Sequence, residues 1–157
     1  MKFTLINNIK KDNAMRLILS GFLSFILLYL ISDTLVKYFG FGISVDAINI
    51  TLFGNAEEYI DPITKASFLE FWHTEIFFIM MILITLSAIF IRLANRSRTF
   101  MINILMISAI TSLITLPVAY FISEFFVYVY IITFFIWHLS AVYMSLYSFW
   151  KLYAKSL

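Results

Sequence analysis

The chain has 157 residues, of which 62% are apolar and only 13% are charged, with a formal net charge of +2. Soluble domains carry about 25% charged and about 45–50% apolar residues, so this composition excludes a soluble globular protein. The aromatic content of 19% excludes a disordered chain, and the absence of cysteine excludes disulfides, iron–sulfur clusters and covalently attached haem. The sequence therefore predicts an all-α integral membrane protein.

Four apolar stretches are long enough to cross a bilayer as helices, which takes roughly 20 residues each. None of them alternates between apolar and polar residues, as the strands of a transmembrane barrel do. The three-residue connection 122–124 makes the last two spans antiparallel neighbours. We predict one integral membrane domain over residues 1–157, an up-down-up-down bundle of four transmembrane helices with a single long outer loop, residues 37–66. The spans are expected at about 15–36, 67–91, 100–121 and 125–150.

The basic residues are concentrated on one predicted side of the membrane. Of the 11 lysines and arginines, all but Lys37 and Lys65 lie at the termini or in the connection 92–99. The positive-inside rule then places both termini in the cytoplasm. Most acidic residues lie in the outer loop or toward the outer ends of the spans, which gives an acidic outer face. We expect a bacterial inner-membrane protein whose outer face docks a basic periplasmic or extracellular protein, or holds a cation.

Two segments of the outer loop are expected to be helical. Asp61 and Pro62 suit the N-cap and the first position of a helix, so the second span is predicted to begin near Pro62. Residues 44–53 fit both a strand and a helical stripe. For this segment we predict a short interfacial helix or a flap over the bundle, and the alternative is an ordinary ordered loop.

Glu70 and His73 form a candidate metal site on the second span. They lie about 60° apart on one helical face, and Glu-x-x-His is the ligand spacing of di-iron carboxylate bundles. This sequence has no second Glu-x-x-His motif, so a single metal ion with Glu124 as third ligand is the simpler form. Asp33, near the outer end of the first span, is a further candidate carboxylate, and Glu75 points to a different face. The alternative is that Glu70 and His73 form hydrogen bonds at the membrane interface.

His138 lies near the midpoint of the fourth span. An ionisable residue at this depth is a functional candidate, and the small residues Ala141 and Ser145 on its face indicate that it points into the bundle. One hypothesis is haem b bound by His138 and Met81, because Met81 matches its depth better than His73 does. The alternative is a neutral imidazole that bonds a serine or threonine across the helix interface. The third span offers four candidates on one face: Ser108, Thr111, Ser112 and Thr115.

Three functions are compatible with these features. The small size and the polar faces favour an accessory subunit of a larger membrane assembly, one that serves a redox or metal-dependent system. The second is a proton or cation conducting or transport protein that acts as a homo-oligomer, with Glu70, His73, His138 and the polar face of the third span as a relay. The third is a haem b electron carrier or an enzyme with an outer-face metal centre. A metal ion, haem b or no cofactor are all compatible with the sequence. Nucleic-acid binding is not expected, because membrane orientation explains the few basic residues.

Overall fold

The computed structural model describes residues 12–94 and 98–154, which are almost entirely helical. Over these ranges the chain forms five α-helices and one π-helical turn, which follows directly on the first helix. In chain order they are α1 (Asn13–Val36), the π turn (Lys37–Phe41), α2 (Val45–Phe53), α3 (Lys65–Leu93), α4 (Arg98–Phe121) and α5 (Phe126–Tyr153).

Four helical segments of the described ranges are long and apolar enough to cross a membrane, which confirms the predicted fold class. They are Asn13–Phe41, Lys65–Leu93, Thr99–Phe121 and Phe126–Tyr153. The up-down order of the spans, the single domain and the cytoplasmic termini stay predictions. Many of the basic residues behind that orientation lie in 1–11, 95–97 and 155–157, outside the described residues.

α5 is the central helix of the bundle. It contacts α1, α2, α3 and α4, and α4 is its most extensive partner. One continuous apolar core follows its buried face through Val127, Phe134, Trp137, Ala141 and Met144. α1 packs against α3 and α5, and it has a smaller buried share than any other span. α1 therefore buries few residues, and one of them, Asp33, is ionisable.

The end of α1 differs from the prediction. The predicted outer loop starts at Lys37, but the π turn continues the helix through Phe41. Gly42, with φ 92°, then reverses the chain into α2. The predicted short helix after it is confirmed, because Ser44 caps α2 and Ile48 buries its side chain in the core. Lys37 is thereby a residue of a membrane-crossing helix rather than of a loop.

α3 begins three residues after the helix start predicted at Pro62, and two residues before the predicted apolar span 67–91. Its N-cap is Thr64, whose Oγ1 accepts a hydrogen bond from an amide of the first turn, whereas Asp61 and Pro62 lie in a non-helical segment. The Ile63 amide donates to the carbonyl of Thr51 in α2 at 2.9 Å. This bond holds the non-helical segment before α3 against α2.

Gly42→Ala is expected to destabilise the protein by about 2 kcal/mol or more, since L-residues disfavour positive φ. A Cβ at Gly42 would also lie 2.6 Å from the Cβ of Ala47, so α2 would have to shift. Gly40→Ala is the matched control, because a Cβ at Gly40 meets nothing within 4 Å. Denaturant titration in detergent micelles, followed by circular dichroism, measures both variants. Equal stabilities would contradict the geometry of this turn.

Candidate functional site

Four ionisable side chains lie together inside the bundle, and we call them the acid–base cluster: Asp33, Lys37, Glu75 and His138. Lys37 is at its centre and is only 1% exposed. Its Nζ lies 2.7 and 2.8 Å from the two carboxylate oxygens of Asp33 and 2.8 Å from Oε1 of Glu75. One buried ammonium group therefore binds two buried carboxylates.

Three helices supply the cluster. Asp33 and Lys37 stand one turn apart because the π turn continues α1. Glu75 lies ten residues after the start of α3, about 15 Å along its axis. His138 lies twelve residues after the start of α5, about 18 Å along that helix. Glu75 and His138 thus lie well inside the apolar length of their spans, whereas Asp33 and Lys37 lie eight and four residues before the end of theirs at Phe41. Charged groups within membrane spans are costly and usually functional.

His138 joins α5 to α1 through one ring nitrogen. Its Nε2 lies 2.9 Å from the carbonyl oxygen of Leu30 and 3.0 Å from Oγ1 of Thr34. The Thr34 hydroxyl itself donates to Leu30 at 2.9 Å, so both neighbours of Nε2 are left to accept. Nε2 therefore carries the hydrogen of the neutral ring.

The second ring nitrogen faces a carboxylate. Nδ1 of His138 is buried without a hydrogen-bond partner among the described residues, and it lies 3.8 Å from Oδ2 of Asp33. In the neutral ring Nδ1 is an acceptor, so two acceptors would face each other in a medium of low dielectric constant. Protonation of Nδ1 would replace this repulsion by an attraction between opposite charges.

Aromatic rings pack around the cluster. The Lys37 ammonium lies 4.8 Å from the ring centre of Phe134 and 5.9 Å from that of Phe71, within the range of cation–π attraction. The rings of Phe134 and Trp137 lie 5.0 and 4.8 Å from that of His138. These contacts keep the local dielectric constant low, so a change of charge at one group has a large electrostatic effect on the others.

A cleft of about 250 Å³ between α1 and α3 reaches the cluster. Asp33 and Glu75 contribute to its lining, together with the rings of Tyr29, Phe71 and Phe78. The cleft therefore brings two carboxylates and three aromatic rings to one space.

The structure does not assemble the three predicted metal ligands. Glu70 and His73 are exposed on α3, and Glu124 is exposed in the turn before α5. Within the described ranges no three histidine, aspartate or glutamate side chains are placed to hold a metal ion. The acid that α3 buries is Glu75, which the sequence analysis placed on a different face from Glu70. The metal site stays a prediction to which this geometry adds no support.

The predicted haem ligands point in different directions. His138 is buried, as predicted, and its Nε2 is occupied by α1. Met81 is about half exposed, and it lies about 200° around α3 from the buried Ile79. A shared haem iron would require both side chains to turn toward each other, so the haem site also stays a prediction without added support.

The polar face of α4 is largely buried but does not bond His138. Ser108, Ser112 and Thr115 are buried and Thr111 is half-buried. The hydroxyls of Ser108 and Thr115 donate to carbonyls one turn earlier on α4 itself. The expectation that His138 bonds a serine or threonine across a helix interface is confirmed, but the hydroxyl is that of Thr34 on α1 and not one of the four candidates on α4.

Sequence reasoning missed Lys37 as a site residue because it was assigned to the loop. It also missed two residues of α1, Thr34, which bonds His138, and Tyr29, which lines the cleft. Both contacts depend on which helices pack against α1. One signal was available: Asp33 and Lys37 have the i, i+4 spacing of a helical ion pair at the end of an apolar run.

The comparisons with known proteins identify a family. Residues 42–157 match the family model Aq_1264_TM, described as a transmembrane helical domain. Neither the curated proteins nor the solved structures give a match. The matched range includes Glu75 and His138 and begins after Asp33 and Lys37. Since the match covers most of the chain, the protein belongs to the Aq_1264_TM family of transmembrane helical domains and is an integral membrane protein in contact with lipid.

Proposed function

We propose that this protein is a proton-dependent transport protein in which the acid–base cluster binds and releases one proton. The observation that carries the proposal is the pair formed by His138 and Asp33. Nε2 is committed to donating toward α1, and Nδ1 faces a carboxylate oxygen at 3.8 Å. This arrangement favours a proton between the two groups.

The charge of the cluster supports the same proposal. With a neutral His138, the two carboxylates and one ammonium leave one negative charge in excess. An uncompensated charge inside hydrocarbon costs several kcal/mol, so one proton stabilises the cluster. Proton relays of membrane proteins are built from such histidine and carboxylate groups.

Protonation also changes how strongly the cluster holds α1 to its neighbours. Lys37 links the end of α1 to α3 through Glu75, and His138 links α1 to α5. A positive His138 attracts Asp33 and weakens the hold of Asp33 on Lys37, which then pairs more closely with Glu75. Proton binding therefore strengthens both attachments of α1 and proton release weakens both, so the packing of α1 depends on the protonation state of the cluster, which is the kind of coupling that a proton-dependent transporter requires.

Nitrogen NMR of labelled histidine, in the full chain in lipid nanodiscs, tests the proton site. We expect His138 to carry a hydrogen on Nε2 alone at alkaline pH and to gain one on Nδ1 on acidification. The chain has two histidines, so His73→Gln leaves a single ring to observe. Asp33→Asn should make this protonation less favourable, because it removes the negative charge that faces Nδ1. A ring that stays neutral at every pH where the protein is folded would contradict the proposal.

A role as a subunit of a larger assembly is the second candidate, and one observation favours it. Glu70 and His73 are exposed five and eight residues into α3, about 8 and 12 Å along the helix. Lipid chains offer these polar groups no hydrogen bonds, whereas a second copy or another membrane protein would. Service to a redox or metal-dependent system stays a prediction from the sequence.

Native mass spectrometry from nanodiscs tests this second candidate. The double variant Glu70→Ala, His73→Ala is expected to reduce the oligomer or complex at least tenfold relative to the monomer. Glu57→Ala, Glu58→Ala is the matched control, because both residues are exposed in the connection before α3. A wild-type protein that is monomeric would contradict self-association, and co-purification from its native membrane then decides whether another protein covers this face.

A further inference from the structure

We propose that the cleft between α1 and α3 binds a monovalent organic cation, with an ammonium head on an apolar body, in exchange for the proton of the acid–base cluster. This inference rests on the proposed function and names its substrate class. It follows from the charge balance of the cluster, from the walls of the cleft and from its position in the bundle.

The charge balance admits either a proton or a cation. Asp33 and Glu75 carry two negative charges, and Lys37 compensates one of them. Both acids bind the same ammonium nitrogen and also line the cleft, so a positive group in the cleft lies next to them. One bound monocation neutralises the cluster as one proton does, and the presence of both would leave an excess positive charge. The two ligands therefore compete.

The walls of the cleft favour an organic cation over a metal ion. Tyr29 and Phe78 form a pair with ring centres 5.1 Å apart, and Phe71 lies on the same cleft. Aromatic faces attract ammonium groups, and quaternary ammonium ions are bound in proteins by such rings. The volume of about 250 Å³ is several times the roughly 30 Å³ of a water molecule, so a bare inorganic ion would leave most of the cleft unfilled.

The position of the cleft gives a ligand access from the lipid phase. Val36 on α1 and Phe78 on α3 line it and are 62% and 41% exposed on the surface of the bundle. Glu75 is only 9% exposed, at the inner side of the cleft. An amphiphilic cation that partitions into the bilayer can thus enter between α1 and α3 with its charged head toward Glu75.

Exchange needs no covalent step. When the ammonium head pairs with Glu75, Lys37 is left to pair with Asp33 alone. Asp33 then attracts a positive His138 less strongly, because its charge is already compensated. The ring releases its Nδ1 proton to solvent, and one positive charge leaves the cluster for each one that enters.

Isothermal titration calorimetry with benzyltrimethylammonium, on the full chain in nanodiscs, tests the proposal. Titrations in two buffers of different ionisation enthalpy count the protons released. We expect saturable binding, about one proton released per cation, and affinity that falls as the pH is lowered. Glu75→Gln should weaken binding at least tenfold, and Glu57→Gln, exposed in the connection before α3, should leave it unchanged. If Glu75→Gln does not fold, Phe78→Leu should still weaken binding about fivefold through the lost ring.

Four results would overturn the proposal. Equal binding of neopentylbenzene, the neutral isostere, would show that the cleft does not recognise charge. Binding without proton release, or competition by sodium ions at comparable concentration, would show that the exchange or the ligand class is wrong. Absence of binding, in a protein whose His138 takes up a proton in the NMR titration, would reject the cation site and leave the proposed function standing.

Discussion

Lys37→Met is expected to lower the free energy of unfolding by about 3–5 kcal/mol, the usual cost of removing one partner from a buried ion pair. Methionine fills a similar volume, so the lower free energy of unfolding comes from the two carboxylates that lose their partner rather than from a cavity. Asp33 and Glu75 would remain buried without their shared ammonium group. Denaturant titration in detergent micelles, at a pH where both acids are ionised, measures the loss.

Lys65→Met is the matched control, because Lys65 is exposed at the start of α3. Its ammonium contacts only the ring of Phe121 among the described residues, so its removal should cost less than about 1 kcal/mol. The triple variant Lys37→Met, Asp33→Asn, Glu75→Gln removes all three charges and should recover most of the lost stability. Equal losses for Lys37→Met and Lys65→Met would contradict the buried network.

Trp137→Ala is expected to lower the free energy of unfolding by about 3 kcal/mol or more, as for other buried aromatic residues. Trp137 is fully buried and packs against Phe134 and His138. Its Nε1 has no hydrogen-bond partner among the described residues, so the loss is one of packing alone. Thermal unfolding in the same micelles measures it, and the NMR titration of His138 should change as well, because its ring loses a neighbour.

Trp150→Ala provides the comparison for this variant. Trp150 lies on the same helix but is 62% exposed, so its replacement should cost less than about 1 kcal/mol. His138 should titrate in Trp150→Ala as in the wild type. A larger loss for Trp150 than for Trp137 would contradict the packing of α5 described above.

The spans were predictable because the bilayer imposes a length and a composition on each helix. α3, α4 and α5 begin and end within a few residues of the predicted positions. The main error lies at the end of α1. Lys37 and the glycines after it read as a loop, and the one local sign that the helix continues is the i, i+4 spacing of Asp33 and Lys37. That continuation depends on tertiary contacts, since Lys37 is held there by Glu75 of another helix.

The site was less predictable, for a physical reason. The helical face of Glu70 and His73 can be read from their spacing, but spacing does not say whether a face points inward or outward. α3 turns Glu75 inward, and Glu70 and His73 outward. His138 was identified because an ionisable residue at mid-membrane is costly at any orientation. Its neighbours on α1 depend on the order of helices around the bundle, which a single sequence does not determine.

The most direct test of the buried contacts of Lys37 is solid-state NMR of the isotope-labelled protein in lipid bilayers, recording contacts between lysine side-chain nitrogens and carboxyl carbons. We predict that one lysine nitrogen contacts both an aspartate and a glutamate carboxyl carbon, and that both signals disappear in Lys37→Met. These contacts correspond to the distances of 2.7 and 2.8 Å from Nζ of Lys37 to Asp33 and Glu75. A Lys37 ammonium group whose hydrogens exchange rapidly with water, and whose nitrogen contacts neither carboxyl group, would contradict the claim that Lys37 binds Asp33 and Glu75 inside the bundle.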